Sequence, residues 1–359
     1  MTAGPANGAG APPAAASVPQ EAGGIRIRRA WPRADGTQTV EGHDGDGRLR
    51  AGTWHGAGAR LDVLDFGRDA KLPALPGVLA PGAELIVHRA GRRAVVRSGD
   101  RYVKVLRPGR AAGVAEASTR LGELVRDAGG ASATVLETGN DRVVFDTVRG
   151  VPLRSLQGPG DLARWRAAWQ EFARMWARLV GRTPPAGAGG NDWARHDAQA
   201  EADVVLAWVG NLRGHDPLGL GRDETERLEE RARRAVSGLL DGAGDRLVPA
   251  HRDLHDEQLL YDPAAGRIGV LDFDTAALAE PALDLGNLMA HLALRHDQGL
   301  ISGPARDAAR DVLAEAAEGC GVSAARLAAY ENATRLRLVG VYAFRPPWRQ
   351  LARDWLRVG

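Results

Sequence analysis

Between His251 and Asp272 the chain carries polar side chains that its own turn should bring together. Asp253 and Gln258 precede an apolar arm at Leu259–Tyr261, and Asp272 follows a second at Ile268–Leu271, with Asp-Pro-Ala-Ala-Gly between the arms. Such a pattern reads as a hairpin, which holds the outer ends of its arms side by side. Asp253 and Gln258 would therefore meet Asp272 despite their separation in the chain. Carboxylates are the side chains that accept a proton from a hydroxyl or hold a hard cation.

A second chemical signal is compositional. Of 47 basic residues only Lys71 and Lys104 are lysines. Lys104 lies in Arg-Tyr-Val-Lys-Val-Leu, a strand with alternating faces that precedes a helix. A lysine kept in so arginine-rich a chain suits a place needing a compact point charge on a thin stem. Lys71 has no comparable context.

His251-Arg252-Asp253, Gln258 five residues beyond that aspartate, and Asp272-Phe273-Asp274 together resemble the catalytic and metal loops of kinases. His255 and the run Glu280-Pro281-Ala282-Leu283-Asp284-Leu285-Gly286-Asn287 are more similar to the aminoglycoside phosphotransferase and choline kinase-like family than to protein kinases. The close resemblance covers residues 248–289. It implies a bilobal α+β, protein-kinase-like fold, ATP and Mg²⁺ as cofactors, and a small-molecule hydroxyl as acceptor. Asp253 would be the catalytic residue, orienting the hydroxyl or taking its proton; Asp272 and Gln258 would hold the metal. Gln258 stands where asparagine is usual, with a side chain one methylene longer; maltokinase-like enzymes of this superfamily also use glutamine. His251 would serve loop architecture, His255 either the loop or the phosphate and substrate, and Asp284 would fix the catalytic loop from a helix start. Asp274 is either a second metal ligand or a cap. Lys104 would contact the α- and β-phosphates, held by Glu116 or, as second choice, Glu123. The hinge beside adenine would include Phe145 and Thr147. The turn Ala90-Gly91-Arg92-Arg93 would lie over the phosphates, its backbone amides and Arg92 or Arg93 either contacting phosphate or, as the favoured reading, the arginines standing exposed in the turn.

The elements that must position these residues fall into two textures. Short alternating runs at Ile25–Ala30, Arg48–Thr53, Arg60–Phe66, Glu84–Arg89, Arg92–Ser98 and Arg101–Leu106 read as strands. A helix at Ala111–Ala128 and strands at Thr134–Thr138 and Arg142–Val148 follow. Helices are then expected at Asp161–Gly181, with Asp161 as N-cap and its tryptophans in the core, and at Ala194–Leu212 and Asp223–Leu240. The expected organisation is a disordered leader at 1–24, a β-rich N-lobe at 25–148 and a helical C-lobe at 149–359. Within the N-lobe, 25–80 could be an added cap and 81–148 the nucleotide-binding part.

Composition excludes several classes. Apolar content of 44%, charged content of 26% and a net charge of +2 describe an ordinary globular chain. No basic run with interleaved aromatics supports a nucleic-acid partner. One cysteine, Cys320, rules out an intrachain disulfide, and no apolar run approaches the roughly 18 residues a membrane span requires. A cytoplasmic enzyme is expected; its oligomeric state is not readable.

The acceptor is less legible. Arg335, Arg337, Arg345, Arg349, Arg353 and Arg357, with Trp348 and Trp355, crowd the C-terminal segment. They suit a neutral or anionic acceptor, such as a sugar or aminosugar, better than a polycation. Alternatives are an aminoglycoside O-phosphotransferase and a non-catalytic nucleotide-binding pseudokinase.

Overall fold

The computed structural model describes residues 17–156, 161–182, 193–241 and 244–358. Five antiparallel strands open it, paired in chain order: β1 (Glu21–Ala22), β2 (Ile25–Pro32), β3 (Gln38–Asp44), β4 (Leu49–His55) and β5 (Arg60–Val63). The leader expected at 1–24 is therefore too long. Val18 is buried, Arg349 donates to its carbonyl at 2.7 Å, and β1 pairs with β2; residues 1–16 lie outside the described residues. β3 has no counterpart among the expected strands, because Gln-Thr-Val-Glu-Gly-His-Asp lacks apolar alternation. It lies between β2 and β4 and buries Gln38, Thr39 and Glu41.

A one-turn helix, α1 (Leu75–Val78), leads to a second sheet. Its strands are β6 (Glu84–Arg89), β7 (Arg93–Ser98), β8 (Arg101–Leu106), β10 (Val135–Thr138) and β11 (Arg142–Phe145), in the order β10-β11-β8-β7-β6. Helix α2 (Ala111–Asp127) and the short β9 (Ala131–Ser132) fall between β8 and β10. The chain then crosses through 146–150 to β12 (Val151–Pro152). At Gly150, with φ +131°, a Cβ would come within 2.9 Å of the Tyr261 carbonyl, so the connector is pressed onto the strand beneath it.

The remainder is mostly helical. α3 (Leu162–Val180) buries Trp165, Trp169, Phe172 and Trp176, and Trp165 donates its indole N–H to the Ala305 carbonyl at 2.7 Å. Asp161 precedes α3 but makes no side-chain cap bond. β13 (Arg195–His196) precedes α4 (Ala198–His215), which starts later than expected because Asp197 caps it, accepting from Ala200 N at 3.0 Å. α5 (Arg222–Leu240) and β14 (Val248–Ala250) follow. The expected hairpin is present as β15 (Leu259–Asp262) and β16 (Arg267–Val270), with β12 beside β15 and β9 parallel to β16. β17 (Ala277–Ala279) lies between β13 and β14. α6 (Pro281–Asp297) runs through the core, buried from Pro281 to Arg295. α7 (Gly303–Gly319), α8 (Ala324–Ala343) and α9 (Arg349–Val358) complete the described chain. A Cβ on Gly286 would lie 2.8–2.9 Å from Tyr330 and Glu331, so this glycine lets α6 and α8 touch.

The two N-terminal sheets are joined by buried charge. Glu41 on β3 accepts from Arg28 Nη2 at 2.8 Å, from Arg29 Nε at 2.8 Å and Nη2 at 3.1 Å, and from the His88 amide of β6 at 2.8 Å. Burial pushes its carboxyl up, but the two arginines and the amide outweigh that and hold it below its ordinary value. Asp69 continues the joint, accepting from the His88 ring at 3.1 Å and from Gly91 N, in the β6–β7 turn, at 2.6 Å. Removing the Glu41 charge would leave two arginines without their buried counterion. Glu41→Gln is expected to cost about 3 kcal/mol, read as a lower urea midpoint at unchanged slope.

Candidate active site

The loop that carries Asp253 is fixed by one buried carboxylate. Asp284, in the first turn of α6, accepts from His251 N at 2.9 Å and from Arg252 N at 2.8 Å. Burial pushes its carboxyl up, against the pull of His251, Arg252 and the two amides. Arg252 takes φ +70°, a left-handed conformation that turns the chain sharply before Asp253. Asn287 donates to Arg252 O at 2.9 Å and Thr275 to His251 O at 2.9 Å. His251 bonds Leu271 O through Nε2 at 2.7 Å, tying the loop to the strand before Asp272. Its Nε2 must therefore carry the proton. With the backbone so committed, the Asp253 side chain is left half exposed, its nearest cation being Arg337 at 3.7 Å.

The hairpin performs the juxtaposition that the spacing suggested. Gln258 O accepts from Leu271 N at 3.0 Å, so Gln258 stands beside the residue preceding Asp272. Asp272 itself takes φ +61°, which breaks the strand and turns its carboxylate into the cleft.

Across that cleft stand two cations of the second sheet. Lys104 Nζ reaches Asp272 Oδ1 at 2.8 Å and Asp274 Oδ1 at 2.6 Å. Arg93 Nη1 donates to Asp274 Oδ2 at 2.9 Å, and its Nη2 lies 3.8 Å from Asp272 Oδ2. Burial pushes Asp272 up, but Lys104 and then Arg93 hold it well below the usual carboxylate range.

Glu116 is not the partner of Lys104. It is exposed on α2 and pairs with Arg120 one turn on, while Glu123 is exposed too. The inward face of α2 carries Ala115, Ser118 and Gly122, and Ser118 lines the cleft. Glu116 is one residue off that stripe, rotated about 100° around the axis. Lys104 therefore takes its carboxylates from Asp272 and Asp274. Arg93, read from sequence as an exposed turn residue, belongs to the cluster. Val95 pairs with Lys104, so alternation puts Arg93 on the same face, a signal available only once the register is known.

His255 also lines the cleft. Its Nδ1 accepts from Glu257 N at 3.2 Å, and its Nε2 lies 3.5 Å from the Gln258 amide nitrogen. Its ring stacks on His291 of α6 at 4.9 Å. Asp256 beside them is held by Arg295 Nε at 2.9 and 3.1 Å, which leaves its carboxylate committed to a guanidinium. Phe145, Asp146, Thr147 and Val148 line the opposite end of the cleft, Phe145 with its ring 5.9 Å from Lys104 Nζ. The Thr147 hydroxyl donates to Asp100 O. The whole cleft measures about 700 Å³.

The model of the phosphotransferase enzyme family matches residues 84–333. This chain belongs to that family. The match begins at the first residue of β6, so the N-terminal sheet lies outside it. N-acetylmuramate/N-acetylglucosamine kinase of Caulobacter vibrioides is 37% identical over 112 residues, which are 30% of this chain and 27% of that kinase. The solved structure of APH(2″)-IIia with GDP and kanamycin superposes with a TM-score of 0.53 at 14% identity, over 80% of this chain and 93% of its own. A macrolide 2′-phosphotransferase type I gives 0.51 at 17%, over 82% and 99%. The fold is accordingly the kinase-like one of this family.

Two measurements check these assignments. Asp284→Ala leaves two amides without an acceptor; about 2 kcal/mol of stability should be lost, with hydrogen exchange accelerated at the amides of 251 and 252 more than at those of α6. Burial also holds His255 below its ordinary value of 6.5 and His291 well below it. As pH falls through that ordinary value the unfolded chain binds protons the folded pair refuses, so stability declines. His291→Gln should flatten this limb in urea midpoints taken from about pH 7.5 to about pH 5.

Proposed function

We propose that this protein transfers the terminal phosphate of ATP to a hydroxyl of a sugar, aminosugar or related small molecule. The observation that carries the reading is the meeting of Lys104 and Asp272 at 2.8 Å in a cleft that Asp253 also lines. Family membership supports the reaction type, and the Caulobacter kinase supports a sugar acceptor.

Phosphoryl transfer asks for positioning and charge neutralisation more than covalent help. Lys104 and Arg93 would exchange some of their carboxylate contacts for phosphate oxygens, as point charge and fork respectively. Backbone groups at 145–148 would receive the base. Asp253, anchored through the amides of its neighbours yet free at its carboxylate, would hold the acceptor hydroxyl in line and take its proton. The donor set at the metal loop fits Mg²⁺: Asp272, the Gln258 amide oxygen and Asp274 are all hard oxygen ligands. When bound, Mg²⁺ supplies charge neutralisation at the phosphate oxygens. His251 and Asp284 are loop supports in this reading, and the sheet of residues 21–63 acts as a cap that contributes Arg29 and Trp31 to the acceptor end.

The test is Mg²⁺-dependent ADP release across sugars, aminosugars, aminoglycosides, choline and nucleosides. Asp253→Asn should fold normally and lose at least about a hundredfold in kcat. Best turnover on aminoglycosides would move the acceptor class to that alternative. Mg-ATP stabilisation without any acceptor-dependent turnover would favour the nucleotide-binding pseudokinase, and no response to nucleotide at all would refute the proposal.

A further inference from the structure

The two ends of the cleft are electrostatically unlike. At the nucleotide end the cations Lys104 and Arg93 face Asp272 and Asp274, two against two. At the acceptor end the inventory does not balance. Arg29 is matched by Glu41, Arg295 by Asp256, and Arg337 lies 3.7 Å from Asp253 and 3.9 Å from Glu201. Glu257 is taken by Arg154 at 2.7 Å and Arg295 at 3.4 Å. Two further arginines, Arg89 and Arg345, line the same cleft, and neither belongs to an ion pair among the described residues.

Both are held by aromatic faces instead. Arg89 and Arg29 lie over the Trp31 ring at 5.0 and 4.9 Å, and Arg345 lies over Tyr342 at 4.1 Å. Stacking fixes a guanidinium plane while leaving its edge free to bond a planar anion. The arrangement is costly without a ligand. Burial, with Arg92, Arg93, Arg29 and Arg33 nearby, lowers Arg89 to about 10, and its Nε has no hydrogen-bond partner. Burial lowers Arg345 as well, with Arg29 and Arg295 adding to it against Tyr342 and Glu257. Trp31 of the N-terminal sheet and Tyr342 of α8 present the two guanidiniums to the same cleft, where the sheet meets the end of α8. Ala30 N donating to Phe344 O at 2.7 Å makes that junction a built one.

We infer that Arg89 and Arg345, presented on Trp31 and Tyr342, form an anion subsite at the acceptor end, and that the acceptor is a hydroxyl compound bearing a carboxylate, such as an acid sugar. The inference rests on the kinase reading for its hydroxyl and on the arginine inventory for its carboxylate. It also revises the weight given to the C-terminal arginines. Only Arg337 and Arg345 of those six reach the cleft; Arg353 and Arg357 pair with Glu224, Arg335 with Glu331, and Arg349 bonds the Val18 carbonyl.

Matched acceptors test it: N-acetylglucosamine against N-acetylmuramate, and glucose against glucuronate, assayed for KM by ADP release and for affinity by calorimetry on Asp253→Asn. The acid member of at least one pair should be favoured about tenfold or more, as charge-assisted hydrogen bonds to a carboxylate would give. Arg89→Gln and Arg345→Gln should each erase most of that preference. Equal KM and affinity within both pairs would overturn the subsite while leaving the kinase standing. Acid binding lost in the arginine variants, but with no turnover in the wild type, would uphold the subsite and sink the kinase reading. If the variants raise KM for ATP alone, the arginines serve the nucleotide phosphates and the inference fails.

Discussion

Everything in this structure is arranged around charge that cannot be neutralised locally. Lys104 and Arg93 belong to one sheet and Asp272 and Asp274 to a loop of the helical part, and each pair alone would be a repulsive, poorly hydrated cluster. Their meeting across the cleft defines how the two parts sit. Buried ion clusters of this kind are weak evidence for stability, because desolvation opposes much of the Coulomb attraction. They are well suited to exchange, since an incoming phosphate can replace a carboxylate at Lys104 without leaving the lysine bare. The same carboxylates are then free for a cation. The ground state is thus close in composition to the state the chemistry needs.

That economy depends on rigid support. Asp284 satisfies two consecutive amides, Asn287 and Thr275 satisfy the carbonyls, and His251 bridges to Leu271, so the loop around Asp253 has few backbone groups left to rearrange. On the other side, Glu41 clamps β6 to the N-terminal sheet, and Asp69, in the connection after that sheet, holds the β6–β7 turn. The β6–β7 turn, pinned through Gly91 N, has less freedom than a glycine-rich loop, and in the proposed reading Arg93 would supply a phosphate contact that extra backbone amides would otherwise make.

The sequence revealed what was local and concealed what was not. Asp253, Gln258 and Asp272 were legible because a hairpin of fixed register joins them, and Lys104 because strand alternation and the scarcity of lysine both single it out. Glu116 misled because helical rotation of a single residue decides whether a side chain faces in, and Ala115, Ser118 and Gly122 are too small to announce the inward face. β3 escaped because its buried residues are polar, paired through Glu41 to arginines that the pattern reads as surface. Trp31, Arg89 and Arg345 come from three separate stretches. Nothing in their local patterns signals that they converge, and their convergence is a property of the tertiary fold alone.

Selectivity can be argued from the same convergence. In the proposed reading, acceptors would be distinguished at the end of the cleft away from the nucleotide, an end lined partly by residues outside the family match: Arg29 and Trp31 from the N-terminal sheet and Arg345 beyond α8. A polycationic acceptor brought there would meet arginines that already lack counterions, a repulsion that costs binding whatever hydrogen bonds the hydroxyls make. A neutral sugar would be tolerated, yet would leave those guanidiniums unsatisfied. An anion removes the penalty, and because the arginines are already stacked and partly desolvated, little ordering is left to oppose binding. The preference would then arise less from new contacts than from relief of the desolvation that burial imposes on Arg89 and Arg345.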